Sequence, residues 1–257
     1  MRRRGKLTHN YVLVIAVDSK AEPHRPTPTV VPEIVATPDG FEVRIGARAF
    51  GADGEPVRAS TRALAAAIAA ELRRLGPKAK VGQIALARLC LLAADIARHR
   101  AEMIDAIAKY ADTDLLSYRA TIPADLRARQ DAGWQPLLDW AARRHGARLA
   151  VTAELMPVAQ VPAAVRPLRD AVAARTDHEL AALRTVVGAT GSLVLALAWL
   201  DGEIDAERTW ELGNLDERFQ VERWGSDAEA VAALAARRQD LADAARFLEL
   251  ARRTGSV

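Results

Sequence analysis

The side chains that could carry chemistry are few and scattered. Five histidines, His9, His24, His99, His145 and His178, form no HExxH pair, and no two stand four residues apart. A helical zinc site needs that spacing. The lone cysteine, Cys90, sits in the apolar run Leu89-Cys90-Leu91-Leu92 and reads as a buried core thiol. It has no second cysteine for a disulfide and no neighbouring histidine to activate it. Gly188-Ala189-Thr190-Gly191-Ser192 is glycine-rich but lacks the lysine and length of a phosphate loop, and no GxGxxG follows a strand pattern. It reads as close helix packing or a bend. Glu203, Glu207 and Glu211 stand four apart, so one helix would align three like charges at some cost to itself. An acid–base pair would also need one carboxyl lifted by burial, and no apolar pocket marks one. The row reads as a solvated face or as a surface for a basic partner. No catalytic, cofactor-binding or metal-binding residue is assigned.

The elements that would position these residues change character along the 257-residue chain. Tyr11–Val17 and Phe41-Glu42-Val43-Arg44-Ile45 read as strands, the second alternating apolar and charged as a half-buried strand does. Residues 22–38 are rich in Pro and Thr and read as extended, and Asp39-Gly40 and Asp53-Gly54 are turn signals. Ser60 or Thr61 can cap a helix through Leu64, Ile68, Leu72 and Leu75 that Gly76-Pro77 ends. Beyond residue 80 the pattern is helical: Ile84–Ala108, Pro123 to about Gly146, Pro162 through Leu183, Leu193–Leu200, Asp205 through Phe219, and Ser226 or Asp227 to about Leu250. Arg148–Thr152 reads as a short extended connector. The expectation is an α+β fold, with a small β-containing N-terminal domain (1–90) and a larger, mainly helical C-terminal domain (91–257).

Composition narrows the function classes. Half the residues are hydrophobic, 5% are aromatic, and the formal net charge is +3. The one clear basic cluster, Arg2, Arg3, Arg4 and Lys6, reads as a solvated tail, and no basic stripe marks a nucleic-acid binder. The apolar runs Tyr11–Val17 and Val186–Leu200 are too short for a secretory signal core with a clean cleavage site and for a membrane span, respectively. From Asp201 to Glu229 ten acidic residues outnumber three arginines, which would draw a basic partner surface. All five tryptophans, Trp134, Trp140, Trp199, Trp210 and Trp224, follow residue 130. Trp134 and Trp199 read as core, whereas Trp224, among charged residues at a helix end, reads as a clasp or a binding edge.

Five ordered blocks resemble the ATP12 family of F1-ATPase assembly chaperones. They are Tyr110–Ala120 (YADTDLLSYRA), Gln130–Trp140 (QDAGWQPLLDW), Gly191–Leu197 (GSLVLAL), Leu215–Gly225 (LDERFQVERWG) and Ala245–Leu248 (ARFL). The likeness spans about residues 105–250. The N-terminal third departs from the pattern: no Arg-Phe-Trp-Lys-like stretch is visible, Leu72 stands where the family usually has tryptophan, and no Met-Pro-Leu-Thr signal precedes Cys90. The resemblance implies a β-containing N-terminal unit, a helical C-terminal unit, no catalytic turnover and no cofactor. It implies a protein that binds unassembled F1 α subunit and promotes F1 assembly, in a bacterial cytoplasm or a mitochondrial matrix. It further implies no nucleic-acid partner, no stable membrane insertion, and a monomer when free. The matching functional positions are Asp216, Glu217 and Glu222, with Trp224 beside them. The alternatives are a divergent protein-binding paralogue with another client, and a small-molecule enzyme with an interdomain pocket.

Overall fold

The computed structural model describes residues 31–76, 78–154, 156–225 and 227–253. The Tyr11–Val17 strand, the basic cluster at residues 2–6, His9, His24, most of the Pro/Thr-rich stretch, Pro77 and Ser226 lie outside the described residues. Among the described residues, regular structure before residue 60 is all strand. β1 (Glu33–Thr37) pairs antiparallel with β2 (Gly40–Ile45), placing Ile34 opposite Val43. β3 (Arg48–Ala49) pairs with the second half of β2. β4 (Gly51–Ala52) and β5 (Glu55–Pro56) form a separate hairpin turned at Asp53-Gly54, where both residues have positive φ. β6 (Arg58–Ala59) pairs with the first half of β2. The expected alternation of β2 is only partly kept. Glu42 is buried beside Val43, with Arg44 at 3.0 Å and Arg58 at 3.5 Å, so the two guanidinium groups replace the water its charge would otherwise need.

Ten helices follow among the described residues: α1 (Arg62–Leu75), α2 (Ala85–Arg98), α3 (Arg100–Ala108), α4 (Ala124–His145), α5 (Pro162–Ala173), α6 (Asp177–Thr190), α7 (Leu193–Leu200), α8 (Ala206–Gly213), α9 (Leu215–Trp224) and α10 (Ala228–Arg252). The arrangement is α+β, a small strand region followed by a mostly helical part. Several ends lie where local chemistry places them. Thr61 accepts from Leu64 N to cap α1, Asp205 from Arg208 N to cap α8, and Asp227 from Ala230 N to cap α10. Gly146 closes α4 in the left-handed conformation, φ 76°.

Three expected helices are each two. The Ile84–Ala108 run breaks at His99, whose backbone (φ −125°, ψ 37°) is non-helical. The run from Pro162 breaks before a capping box in which Thr176 and Glu179 satisfy each other's backbone N–H. Arg100 secures that break by donating to Asp177 and to the carbonyls of Ala173 and Arg175. The run from Asp205 breaks at Asn214, whose side-chain amide donates back to Trp210 O at 2.9 Å. At the other end, the Asp205 cap starts α8 after Glu203, so only Glu207 and Glu211 of the acidic row share a helix.

α6 and α7 form the centre of one hydrophobic core, with α2, α10 and α8 against α6 and with α4, α5 and α8 against α7. Cys90 is buried in α2, and burial pushes its thiol up to about 12. Leu193, Leu195 and Leu197 are fully buried. Trp199 is only half-buried, because the last turn of α7 opens onto a cleft beside Leu248 and Arg252 of α10. Leu197→Ala is expected to cost about 2–5 kcal/mol, since neighbours packed on every side cannot close the void. A chemical-denaturation midpoint equal to that of the unaltered chain would contradict this placement. Among the described residues no helix is long and apolar enough to cross a membrane, and no group of three or more His, Cys, Asp and Glu is placed to hold a metal ion.

Candidate functional site: the α9 face

Four sequence blocks, far apart along the chain, are joined by a series of hydrogen bonds that ends on α9. Asp114 is fully buried and reaches across to the start of α7. It accepts from Leu116 N at 3.0 Å, Ser192 Oγ at 2.7 Å and Val194 N at 3.0 Å. Burial raises its carboxyl above the usual range, against the pull of those donors. Arg119 is held just beyond by its backbone, which donates to Thr152 O at 2.8 Å where Tyr118 and Thr152 form a parallel bridge. Its guanidinium donates to Asp131 at 3.0 Å and to Leu116 O, and lies 5.1 Å from the Trp134 ring centroid. Gln130, also buried, accepts from Ala120 N at 2.6 Å and donates to Asp216 at 2.8 Å. Asp114, Arg119 and Gln130 were not singled out from sequence. The available signal was only their place in the blocks that carry the family likeness, Tyr110–Ala120 and Gln130–Trp140.

The four sequence-predicted residues share α9 but have different surroundings. Asp216 is half-buried; burial raises its carboxyl above the usual range, opposed by the Gln130 hydrogen bond and reinforced by Glu217. Glu217 receives Arg237 Nη1 of α10 at 2.9 Å, and the same nitrogen lies 2.8 Å from Asn214 Oδ1. Glu222 receives Arg129 Nη1 of α4 at 2.6 Å. Neither glutamate orients Arg218 or Arg223: Arg218 lies 4.0 Å from Glu211, and Arg223 lies 3.3 Å from Asp125. Trp224 is 69% exposed. Its ring meets Phe219 edge-on at 6.5 Å, while the Arg129 and Arg223 guanidinium groups lie 5.1 and 5.9 Å from the Phe219 centroid. The result is an exposed indole on a braced, charged platform, beside a cleft of about 300 Å³ lined by Arg129, Gly133, Arg218 and Glu222.

The expected acidic field is largely met from within the fold. Arginines outside residues 201–229 come to its carboxylates: Arg175 to Asp201 at 2.7 Å, Arg238 to Glu207 at 2.8 Å, and Arg237 and Arg129 as above. Local sequence counting could not see them, because a charge surplus in one segment says nothing of the helices packed beside it.

The platform is fixed by close approach. A Cβ built on Gly133 of α4 would stand 2.7 Å from Leu212 Cδ2, and one on Gly213 would stand 2.6 Å from Thr190 Cγ2. Trp134 adds a hydrogen bond from Nε1 to Leu212 O at 2.9 Å. The end of α8 is therefore pressed onto α4 and α6, which sets where α9 begins.

Comparison with known proteins places this geometry among relatives. A family model described as ATP12 chaperone protein matches residues 29–142. That match includes the N-terminal third, where the family's usual signals are missing. The crystal structure of Atp12 from Paracoccus denitrificans is similar at 38% identity and TM-score 0.78, covering 86% of this chain and 96% of that one. A single-residue variant of the same Paracoccus protein gives 37% identity and TM-score 0.78, with 86% and 95% covered. The Atu1473 protein from Agrobacterium tumefaciens gives 32% identity and TM-score 0.77, with 85% and 83% covered.

Proposed function

Because this chain belongs to the ATP12 chaperone family, we propose that it assists F1-ATPase assembly by holding the unassembled α subunit, as a binding protein and not an enzyme. The observation that carries the reading is Trp224, a large apolar ring left 69% exposed on a platform whose charges are already paired. An aromatic in solvent beside a polar rim suits reversible coverage of apolar subunit surface, because a moderate contact area permits release. Asp216, Glu217 and Glu222 are assigned to the same contact, with Asp216 held by Gln130 and the two glutamates aligning Arg237 and Arg129.

The glutamates brace helices, so their replacement must be separated from simple unfolding. Both of their ion pairs are substantially solvent-exposed and contribute only about 0–1 kcal/mol each. Glu217→Gln, Glu222→Gln and Trp224→Ala are therefore expected to melt close to the unaltered chain. Suppression of α-subunit aggregation, with complex formation measured in parallel, is expected to weaken about tenfold or more for Trp224→Ala and for at least one glutamine variant. Normal capture by all three folded variants and by the double glutamine variant would remove α9 from the contact. No capture of the cognate α subunit by the unaltered chain would defeat the client reading itself.

A further inference from the structure

We propose that the groove over Gly188, walled by α2, α6 and α10, seats an apolar side chain of the chaperone's protein client whose flanking carboxylates meet the arginines of its rim. This rests on the client reading above but places a contact on a different face from Trp224. Gly188 is exposed in the last turn of α6, and a Cβ built there would meet nothing within 4 Å. The bend expected of the Gly188–Ser192 segment falls at Gly191, which ends α6 in the left-handed conformation, whereas at Gly188 itself the helix runs on to Thr190. Glycine at a helical position is a poorer helix former than alanine. The fold thus tolerates a helix-weakening residue that its own packing does not require, at the floor of a depression of about 410 Å³. A bare backbone there leaves room for something from outside the chain.

The lining states the chemistry of the occupant. Leu89, Leu92 and Ala189 supply apolar surface, and Arg88, Arg184 and Arg237 supply three cations. Arg184 is exposed and makes no hydrogen bond or ion pair among the described residues. Arg88 donates to Gly82 O at 2.8 Å and has no ion pair among the described residues. Asp240 and Asp243 of α10 face the same space and Glu217 already pairs Arg237, so the cations left without an ion pair among the described residues of this lining are Arg88 and Arg184. The groove continues past Arg88, Asp240 and Asp243 into a second depression of about 550 Å³ that reaches Glu71 and Arg74 of α1 and Arg246 of α10; Glu71 pairs Arg246 at 3.0 Å, and Arg74 has no ion pair among the described residues. That length suits an extended or helical segment bearing carboxylates beside an apolar side chain. Arg237 links this groove to the α9 face, since Glu217 holds its guanidinium at 2.9 Å. Glu217 is then a positioning residue for the groove as well as part of the α9 platform.

Gly188 permits a test in which stability and binding move in opposite directions. Gly188→Ala and Gly188→Leu are compared with the unaltered full-length chain, using cognate F1 α subunit as probe. A Cβ meets nothing within 4 Å and both residues favour helix over glycine, so each variant is expected to melt at or above the unaltered chain, by about 2 °C for the alanine. Capture of the α subunit is expected to fall at least tenfold for Gly188→Leu, which fills the groove, and to change little for Gly188→Ala. Arg184→Gln, at a position without partners among the described residues, is expected to weaken capture about threefold and to flatten its salt dependence. Equal capture by Gly188→Leu, Arg184→Gln and the unaltered chain would overturn the groove while leaving the client reading intact. Failure of the unaltered chain to capture the subunit would overturn both. Sedimentation showing that the chain self-associates and that Gly188→Leu abolishes it would assign the groove to a second copy and overturn the proposal.

Discussion

Asp114→Ala is expected to lower the unfolding free energy by roughly 3–5 kcal/mol, a large part of what holds a domain folded. The carboxylate is fully buried and answers three donors, from Leu116, Ser192 and Val194. Alanine strands all three. Two of them belong to the start of α7, the helix whose leucines fill the middle of the core. The loss reaches beyond a surface cap, because no solvent can enter to replace the oxygens. Asp114→Asn separates charge from shape. It keeps one acceptor oxygen but presents an amide to a donor, so an intermediate loss is expected. The pH dependence gives a second readout. Burial sets the folded-state pKa above the unfolded one. The proton-linked part of Asp114's contribution, separate from the hydrogen bonds it accepts, is therefore fully present below the unfolded carboxyl value near 3.9 and is lost as pH rises through the folded value. The asparagine variant should lack this slope. Denaturation curves for the three proteins across mildly acidic to neutral pH test both statements. Equal midpoints for Asp114→Ala and the unaltered chain at neutral pH would show that the network around α7 is not what holds it.

What could be read from sequence divides along physical lines. Ends set by a residue's own side chain or backbone were legible: Thr61, Asp205 and Asp227 as caps, Gly76 and Gly146 as stops. The breaks at His99 and Asn214 were not, because neither side chain caps the helix that follows. The Thr176–Glu179 capping box did carry a local signal, masked by the apolar periodicity running through it. The candidate residues were found through the family likeness, but their partners were not. Glu222 and Arg129 are 93 positions apart, Asp216 and Gln130 are 86 apart, and nothing in either neighbourhood announces the pairing. For the same reason a run of carboxylates looked like an open acidic face, while the fold supplies Arg175, Arg237 and Arg238 to it.

The position of α9 depends on α4, and Trp134 makes that dependence measurable. Its indole is completely buried, its N–H donates to Leu212 O at 2.9 Å, and the Arg119 guanidinium lies 5.1 Å from its ring. Leu212 is in the last turn of α8, which passes through Asn214 directly into α9. Trp134→Ala is expected to cost about 3–5 kcal/mol through the void, with a further penalty from the unpaired Leu212 carbonyl. It is also expected to weaken capture of the α subunit, because the platform under Phe219 and Trp224 loses its anchor. Trp134→Phe distinguishes the two effects. Phenylalanine keeps most of the apolar area and the surface under Arg119 but cannot donate to Leu212, so a smaller cost, about 1–3 kcal/mol, is expected. Capture should be compared well below the midpoint of each variant, so that only folded protein is scored. If folded Trp134→Ala captured the subunit as well as the unaltered chain does, α9 would not need its fixed position to act. The α4–α8 contact would then be structural support alone, and the contact with the client would have to lie elsewhere, as on the α6–α10 groove.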